Sequence, residues 1–343
     1  MTVELGSLAS LEPALAADGF FGRDDVVANV YIGYRCSNEL RRSGMPPPAE
    51  PCSLPAVAYS IDAPNRTLPR GGGYSVGPWH ASWSESEYAD AVDVVRAAIA
   101  EGDVYQVNLV QHLSAEFEGD PLGLAPALEP LDPLEPRPLV GAGWAIVSAS
   151  PELLLSRRGS RISTSPIKGT RPAGVPIESA KDAAEHVMIV DLERNDLSRV
   201  AVPGSVRWPE LLAERQLAGV THLVATVEAE LRADVTLTEL LQAVLPGGSV
   251  TGCPKIAALD LIAALEPVGR GASMGALGRI HPNGDLDLAL TIRTFAVADG
   301  RIHLWVGGGI VWDSDPAEEV EESWVKARPL LAAIGAPLPA PVS

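Results

Sequence analysis

Cationic side chains are scarce in this sequence: 26 lysines and arginines stand against 44 aspartates and glutamates, a formal net charge of −18. A general nucleic-acid binder carries a basic footprint, and adsorption to anionic lipid needs one too, so neither partner is expected. Cysteine is scarcer still. The three present, Cys36, Cys52 and Cys253, are an odd number without metal-ligand spacing, which argues against a disulfide framework. No run approaches the ~18 consecutive apolar residues of a membrane helix. The opening, MTVELGSLASLEPALAADGFFGRDD, lacks the basic region and unbroken apolar stretch of a secretion signal. The expected setting is cytoplasmic, with reduced thiols. What is present is a globular composition, 46% hydrophobic and 20% charged, over 343 residues, enough for one large domain or two ordinary ones. If so acidic a protein takes an anionic small substrate, it needs locally placed cations.

Residues 1–79 read as short strand-like pieces, such as NVYIGYRC and AVAYSI, between turns such as SGMPPPAEPCSLP and LPRGGGYSVGP. From Glu85 the pattern changes. SESEYADAVDVVRAAIAEGD has helical apolar spacing and stops at Gly102, and VYQVNLVQHLSAEF then alternates as a half-buried strand does. The proline-rich segment 119–138 predicts a loop over a short helix, and residues 139–167 predict strands with a tight turn at Gly159. Helices are expected over ESAKDAAEHVMIVDLERNDLSRV, KIAALDLIAALEP and DPAEEVEESWVKARPLLAAIG, and strands over LDLALTIRTFAVADGRIHLWVGGGIVW. Antiparallel runs of strands with separated helices indicate α+β rather than alternating βαβ units. The expected organisation is an abbreviated N-terminal portion, 1–79, packed on a main domain, 80–335, with a tail at 336–343.

Several constellations bear on chemistry. Glu319, Glu322 and Lys326 stand at i, i+3 and i+7 of the last helix and share one face. On that helix alone a solvated salt-bridge stripe is the favoured reading. The run Gly307–Gly309 before it either lets backbone N–H groups approach an anion or marks a twisted strand end. Asp182 and Glu185 share a helix face with Ile189, where ion pairs with Lys181 and Arg194 are the plain alternative to metal binding. Two helices presenting carboxylates could hold Mg²⁺, which takes few protein carboxylates and completes its shell with substrate oxygens and water. PGGSVTGCPK has the grammar of a helix start that attracts anions, without the G-x-x-x-x-G-K-[ST] spacing of a nucleotide loop. Glu152, after a proline at a strand start, is a general acid if an apolar wall raises its pKa, and an edge glutamate in solvent otherwise. STSPIKGTRPAG holds Lys168 against a glycine turn between Pro166 and Pro172, unlike the usual mobile surface lysine.

In chain order, GDVYQVNL, SASPELLL, PIKGTRPAG, KDAAEHVMIVDLERNDLSRVAVPGSV, THLVATV, LPGGSVTGCPKIAALDLIAALEP, ALTIRTF and GGGIVWDSDPAEEVEES resemble the motifs of the chorismate-utilising enzymes. That family includes anthranilate synthase component I, aminodeoxychorismate synthase component I, and isochorismate and salicylate synthases. The resemblance implies an anthranilate synthase component I-like fold: one α+β domain of two stacked, largely antiparallel β-sheets flanked by helices. It implies a Mg²⁺-dependent site for chorismate, with Glu185 and Glu322 as metal ligands and Asp182 and Glu319 in support. Arg293 and the amides of Gly307, Gly308 and Gly309 would hold the enolpyruvyl carboxylate, and Lys326 would add positive charge. Gly169 and Thr170 would line the ring beside His222, and Glu152 would protonate the departing 4-hydroxyl.

Two positions bear on the product. By resemblance, lysine at 168 is the nucleophile that attacks C2 and so directs ammonia to C4, with its pKa depressed by burial and nearby cations. Gln106 stands where isochorismate and salicylate synthases carry a lysine base for water, and a carboxamide is no base near neutral pH. The implied activity is that of aminodeoxychorismate synthase component I, toward 4-aminobenzoate and folate, with ammonia from a separate glutamine amidotransferase subunit. Anthranilate synthesis and a catalytically inactive chorismate-binding regulatory module are the alternatives. Two departures stand out: Ser273 replaces the family's tyrosine in RGASMG, and Cys253 replaces alanine at an expected buried helix start, a change read as structural. The tryptophan-binding motif of feedback-regulated anthranilate synthases is not found.

Overall fold

Strand-forming runs dominate both ends of the chain, and each finds an antiparallel neighbour. The computed structural model describes residues 1–67, 71–172, 180–217 and 220–336, with backbone alone at 170–172, 180–184, 216–217 and 220. A ten-stranded sheet runs in the order Thr2–Leu5, Val57–Asp62, Val27–Ile32, Ala276–Ile280, Leu286–Leu290, Leu153–Arg158, Arg161–Ser165, Val220–Glu230 and Ile167–Pro172. Arg207–Leu217 completes it by pairing with Val220–Glu230. An eight-stranded sheet is built on the long strand Gln106–Gly119, flanked by Gly252–Cys253 and by Arg301–Ile310, with Thr294–Ala298, Trp144–Ser148 and Leu139–Gly141 beyond. Tyr74–Val76 and His80–Ala81 also pair with the long strand.

Val110, Ile146, Ala296 and Trp305 of the smaller sheet share one buried cluster with Val30, Leu155, Leu277 and Leu288 of the larger, so the sheets stack face to face. The expected α+β architecture is what the chain forms. On the outer face of the smaller sheet, Ala327, Leu330 and Leu331 of the last helix, Pro316–Ala333, pack over Leu113, Phe295 and Leu304. The helices Glu85–Glu101 and Lys255–Leu265 close a third cluster around Val107, Leu109 and Ile310. Residues 1–79 contribute three strands to the large sheet, Val27–Ile32 pairing directly with Ala276–Ile280, and the strand Tyr74–Val76 to the smaller. Residues 337–343, most of the expected tail, lie outside the described residues. No helix among the described residues is long and apolar enough to cross a membrane.

One buried cation ties the pieces that carry the site. Arg270 donates twice to Glu266, at 2.9 and 2.6 Å, and once each to the carbonyls of Val250 and Asn108, at 2.7 Å. Its guanidinium lies 4.7 Å from the Tyr34 ring centroid. Glu266 in turn accepts the Val110 N–H at 3.1 Å. The long strand and the turn Gly248–Val250 are thereby held together by one ion pair in which every guanidinium nitrogen donates. Arg270→Met strands a buried carboxylate and is expected to lose about 3–5 kcal/mol. Urea unfolding checks this: adding Glu266→Leu to that variant should restore part of the loss, and a double variant no more stable than the single would contradict the ion-pair account.

Candidate active site

Lys168 is aimed by its strand. Ile167 and Lys168 pair with Val224 and Leu223, and the register then shifts before Arg171, around Gly169 with its φ of +60°. Such a bulge re-aims the side chains beside it, and glycine adopts that φ without a Cβ clash. The Lys168 side chain is 14% exposed, and its amine lies 3.1 Å from Glu185 Oε1, on the helix Ala180–Ser198. It also lies 3.4 Å from the Ser249 carbonyl oxygen. Gln106 is fully buried and donates its Nε2 to the same Glu185 Oε1 at 3.2 Å, while its Oε1 has no hydrogen-bond partner among the described residues.

Glu152 closes the other side of this group. It is buried, and the Ser249 hydroxyl donates to its Oε1 at 2.5 Å. Burial pushes its carboxyl up to about 7, against the opposing pull of the Ser249 bond, Lys168, the Ile167 backbone and Arg293. That is the range a general acid needs near neutral pH. His222 donates Nδ1–H to the Gly169 carbonyl at 2.7 Å, which leaves Nε2 to accept from Arg293 Nη2 at 3.4 Å. Burial lowers its pKa, so the ring is neutral.

The glycine strand Arg301–Ile310 carries the rest. Gly307, Gly308 and Gly309 pair with Val110, Leu109 and Asn108, while pairing on the opposite edge with Thr294–Ala298 ends at Leu304. Their segment is therefore strand-paired on one edge only. A Cβ on Gly308 would meet Glu319 Oε2 at 3.1 Å and Glu322 Oε1 at 3.3 Å; on Gly309 it would meet Gln106 Nε2 at 2.2 Å and Glu185 Oε1 at 2.8 Å. Carboxylates from two helices thus crowd the one stretch of strand without side chains. Glu319 is buried and accepts from the Ser314 hydroxyl at 2.6 Å, while Glu322 pairs with Lys326 at 2.7 Å. Lys326 also donates to the Gly307 carbonyl at 2.7 Å. The salt-bridge stripe and the site are the same face.

Carboxylate oxygens are the donor type that a hard divalent cation takes. Among the described residues no three His, Cys, Asp or Glu side chains form a metal-holding group. Mg²⁺ does not require one, since one or two carboxylates with water and substrate oxygens suffice. The side chains of Asp182 and Thr170 lie outside those described.

Lys168 differs from expectation in one respect. Burial pulls its pKa down, but Glu185, Glu152 and Glu322 more than offset this, so the amine is held protonated. Its nearest charges are carboxylates rather than cations. Ser273 is fully buried and donates to the Thr291 carbonyl at 3.3 Å, two residues short of Arg293. Cys253 is partly exposed and pairs with Gln106 at the strand end rather than lying buried. Arg194 pairs with Asp191 at 2.8 Å, on the exposed side of its helix. Ser249, which touches both Glu152 and Lys168, was read only as part of a helix start.

Charges of both signs are gathered where two helices meet a stack of antiparallel sheets. A family model described as chorismate binding enzyme matches residues 37–332, and the chain belongs to that family. It is 42% identical over 268 residues to anthranilate synthase component 1 of Thermus thermophilus, covering 75% of this chain and 58% of that protein. It is 40% identical over 266 residues to aminodeoxychorismate synthase component 1 of Klebsiella aerogenes, covering 74% and 59%. The chain thus spans less than two thirds of the length of these curated relatives. The solved anthranilate synthase component I of Streptococcus pneumoniae superposes with a TM-score of 0.78 at 26% identity, covering 88% of this chain and 80% of that one. Relatives with different products stand equally near, so overall identity does not choose between them.

Gly309→Ala tests the glycine strand. The added methyl would stand 2.2 Å from the buried Gln106 Nε2 and 2.8 Å from Glu185 Oε1, so both must shift. The kcat/KM is expected to fall about 100-fold, and the overpacking to lower the thermal midpoint as well. Unaltered turnover would show that this spacing is not required.

Proposed function

We propose that the chain converts chorismate and ammonia to 4-amino-4-deoxychorismate, the activity of an aminodeoxychorismate synthase component I, toward 4-aminobenzoate and folate. The observation that carries this reading is the largely buried Lys168 amine, 3.1 Å from Glu185 and sharing Ser249 with Glu152. The Lys168 ammonium first gives one proton to solvent, and the neutral amine then adds to ring carbon C2; the double bonds shift and the C4–O bond breaks. Glu152 gives its proton to the departing hydroxyl, which leaves as water, and the proton shed by the new C2–N bond restores it. Ammonia then adds at C4 and the C2–N bond breaks, a proton passing from the incoming nitrogen to the departing amine. Arg293, Lys326 and the amides of Gly307–Gly309 hold the substrate's carboxylates, with Gly169, Thr170, His222 and Ser273 around it. Glu185 and Glu322, with Asp182 and Glu319 in support, would hold Mg²⁺, which would supply positive charge for the ring carboxylate. Gln106, a carboxamide beside Glu185, offers water no base.

Ammonia comes from a separate glutamine amidotransferase subunit in this reading. The component 1 names of the relatives support a partner of some kind. Lys168→Ala is the test. Supplied with chorismate, Mg²⁺ and ammonium, it should make no 4-amino-4-deoxychorismate while keeping the far-UV circular dichroism of the parent. Undiminished C4 amination by that variant would overturn the role of Lys168. Anthranilate from the parent protein would overturn the product, and tight chorismate binding without turnover would point to a regulatory module.

A further inference from the structure

Behind Glu152 lies a second buried carboxylate that the proposed chemistry does not use. Glu193 belongs to the same helix as Glu185, two turns further on, and is almost fully buried. Its Oε2 accepts the Thr164 hydroxyl at 3.0 Å, and its Oε1 lies 3.4 Å from where a Cβ on Gly248 would stand. Both neighbours lead straight to Glu152. Gly248 precedes Ser249, the hydroxyl donor to Glu152, and the same Thr164 hydroxyl lies 3.4 Å from the carbonyl of Leu153, the next residue after Glu152. Glycine at 248 leaves room for this approach, where the Leu192 side chain is already within 2.8 Å of the Cβ position.

We propose that Glu193 is a positioning residue for the general acid: held by Thr164 behind the Gly248–Ser249 turn, its charge keeps the proton on Glu152. This rests on Glu152 acting on chorismate as proposed above. The charged groups around the two carboxylates are few. Glu152 faces Lys168 from the strand Ile167–Pro172 and Arg293 from the turn before Thr294–Ala298, both of which favour its ionised form. Glu193 faces Asp196 from its own helix and Lys255 from the helix Lys255–Leu265, and Lys255 is ion-paired to Asp196 and bonded to the Pro246 carbonyl. Burial pushes Glu193 up to about 7, with Asp196 adding to this, Lys255 opposing it and Glu152 adding again. Two buried acids that feel one another do not both ionise freely, so ionising one holds the proton on the other. Without Glu193, burial alone opposes the two cations beside Glu152, and its proton is lost at lower pH.

The readout is the pH profile of chorismate turnover at saturating chorismate, Mg²⁺ and ammonium. Comparing variants with the parent under one set of conditions cancels the titration of ammonia itself. Glu193→Gln keeps shape and hydrogen-bonding capacity but removes the charge. Its alkaline limb is expected to move to lower pH by roughly half to one unit, with KM for chorismate within about twofold of the parent. Thr164→Val removes the donor that favours ionised Glu193 without touching a charge, and should move the limb the same way by less. It gives the answer if Glu193→Gln does not fold. An alkaline limb that stays put in the folded variants, with the parent active, overturns this inference and leaves the function standing. A parent protein that turns over no chorismate at any pH overturns both.

Discussion

A lysine ammonium largely buried beside a glutamate carboxylate is the constraint from which the rest of this site follows. Neither Lys168 nor Glu185 could be taken from water alone without a large solvation cost, and their contact at 3.1 Å offsets part of it. The pairing requires the strand Ile167–Pro172 to bulge at Gly169 and the helix Ala180–Ser198 to deliver Glu185 at that point. Gln106 donates to the same oxygen, so one carboxylate oxygen organises three elements distant in sequence. An acidic protein thereby gathers Lys168, Arg293 and Lys326 among the carboxylates of Glu152, Glu185 and Glu322.

The glycine strand answers the opposite problem, that of space. Three consecutive residues without side chains let carboxylates from two helices reach the backbone from both faces of the strand. Its alternation with the long strand Gln106–Gly119 is ordinary sheet pairing, and the unusual feature is what is missing from it. Lys326 ties the last helix to Gly307, so helix and strand keep their spacing through a charge-assisted bond as well as through apolar packing.

Fold class was legible because long periodic segments dominate: the strand at 106–119, the three main helices and the turn at Gly159 all lie where apolar spacing placed them. The helix Leu237–Val244 was passed over despite the capping box of Thr236 and Glu239, because it is short and follows a polar turn. The strand Arg207–Leu217 was missed for another reason. It pairs on one edge only and exposes Trp208 and Leu212, so its alternation carries little of the usual in–out signal. At the site, residue types at Glu185, Glu322, Glu152 and Lys168 were legible from spacing and resemblance, whereas the contacts of Ser249 and Glu193 were not. Ser249 meets Glu152 across 97 positions, a relation that no local pattern encodes. The charge environment of Lys168 was misread for the same reason: its neighbours come from other elements, and they are anions.

The central claim is that the Lys168 nitrogen bonds to the substrate, and peptide mass spectrometry tests it most directly. Incubated with chorismate and Mg²⁺ in the absence of ammonia, then digested, the protein should show the peptide containing Lys168 heavier by chorismate less one water. A protein that consumes chorismate once ammonium is added, yet never carries that mass on Lys168, would contradict the account.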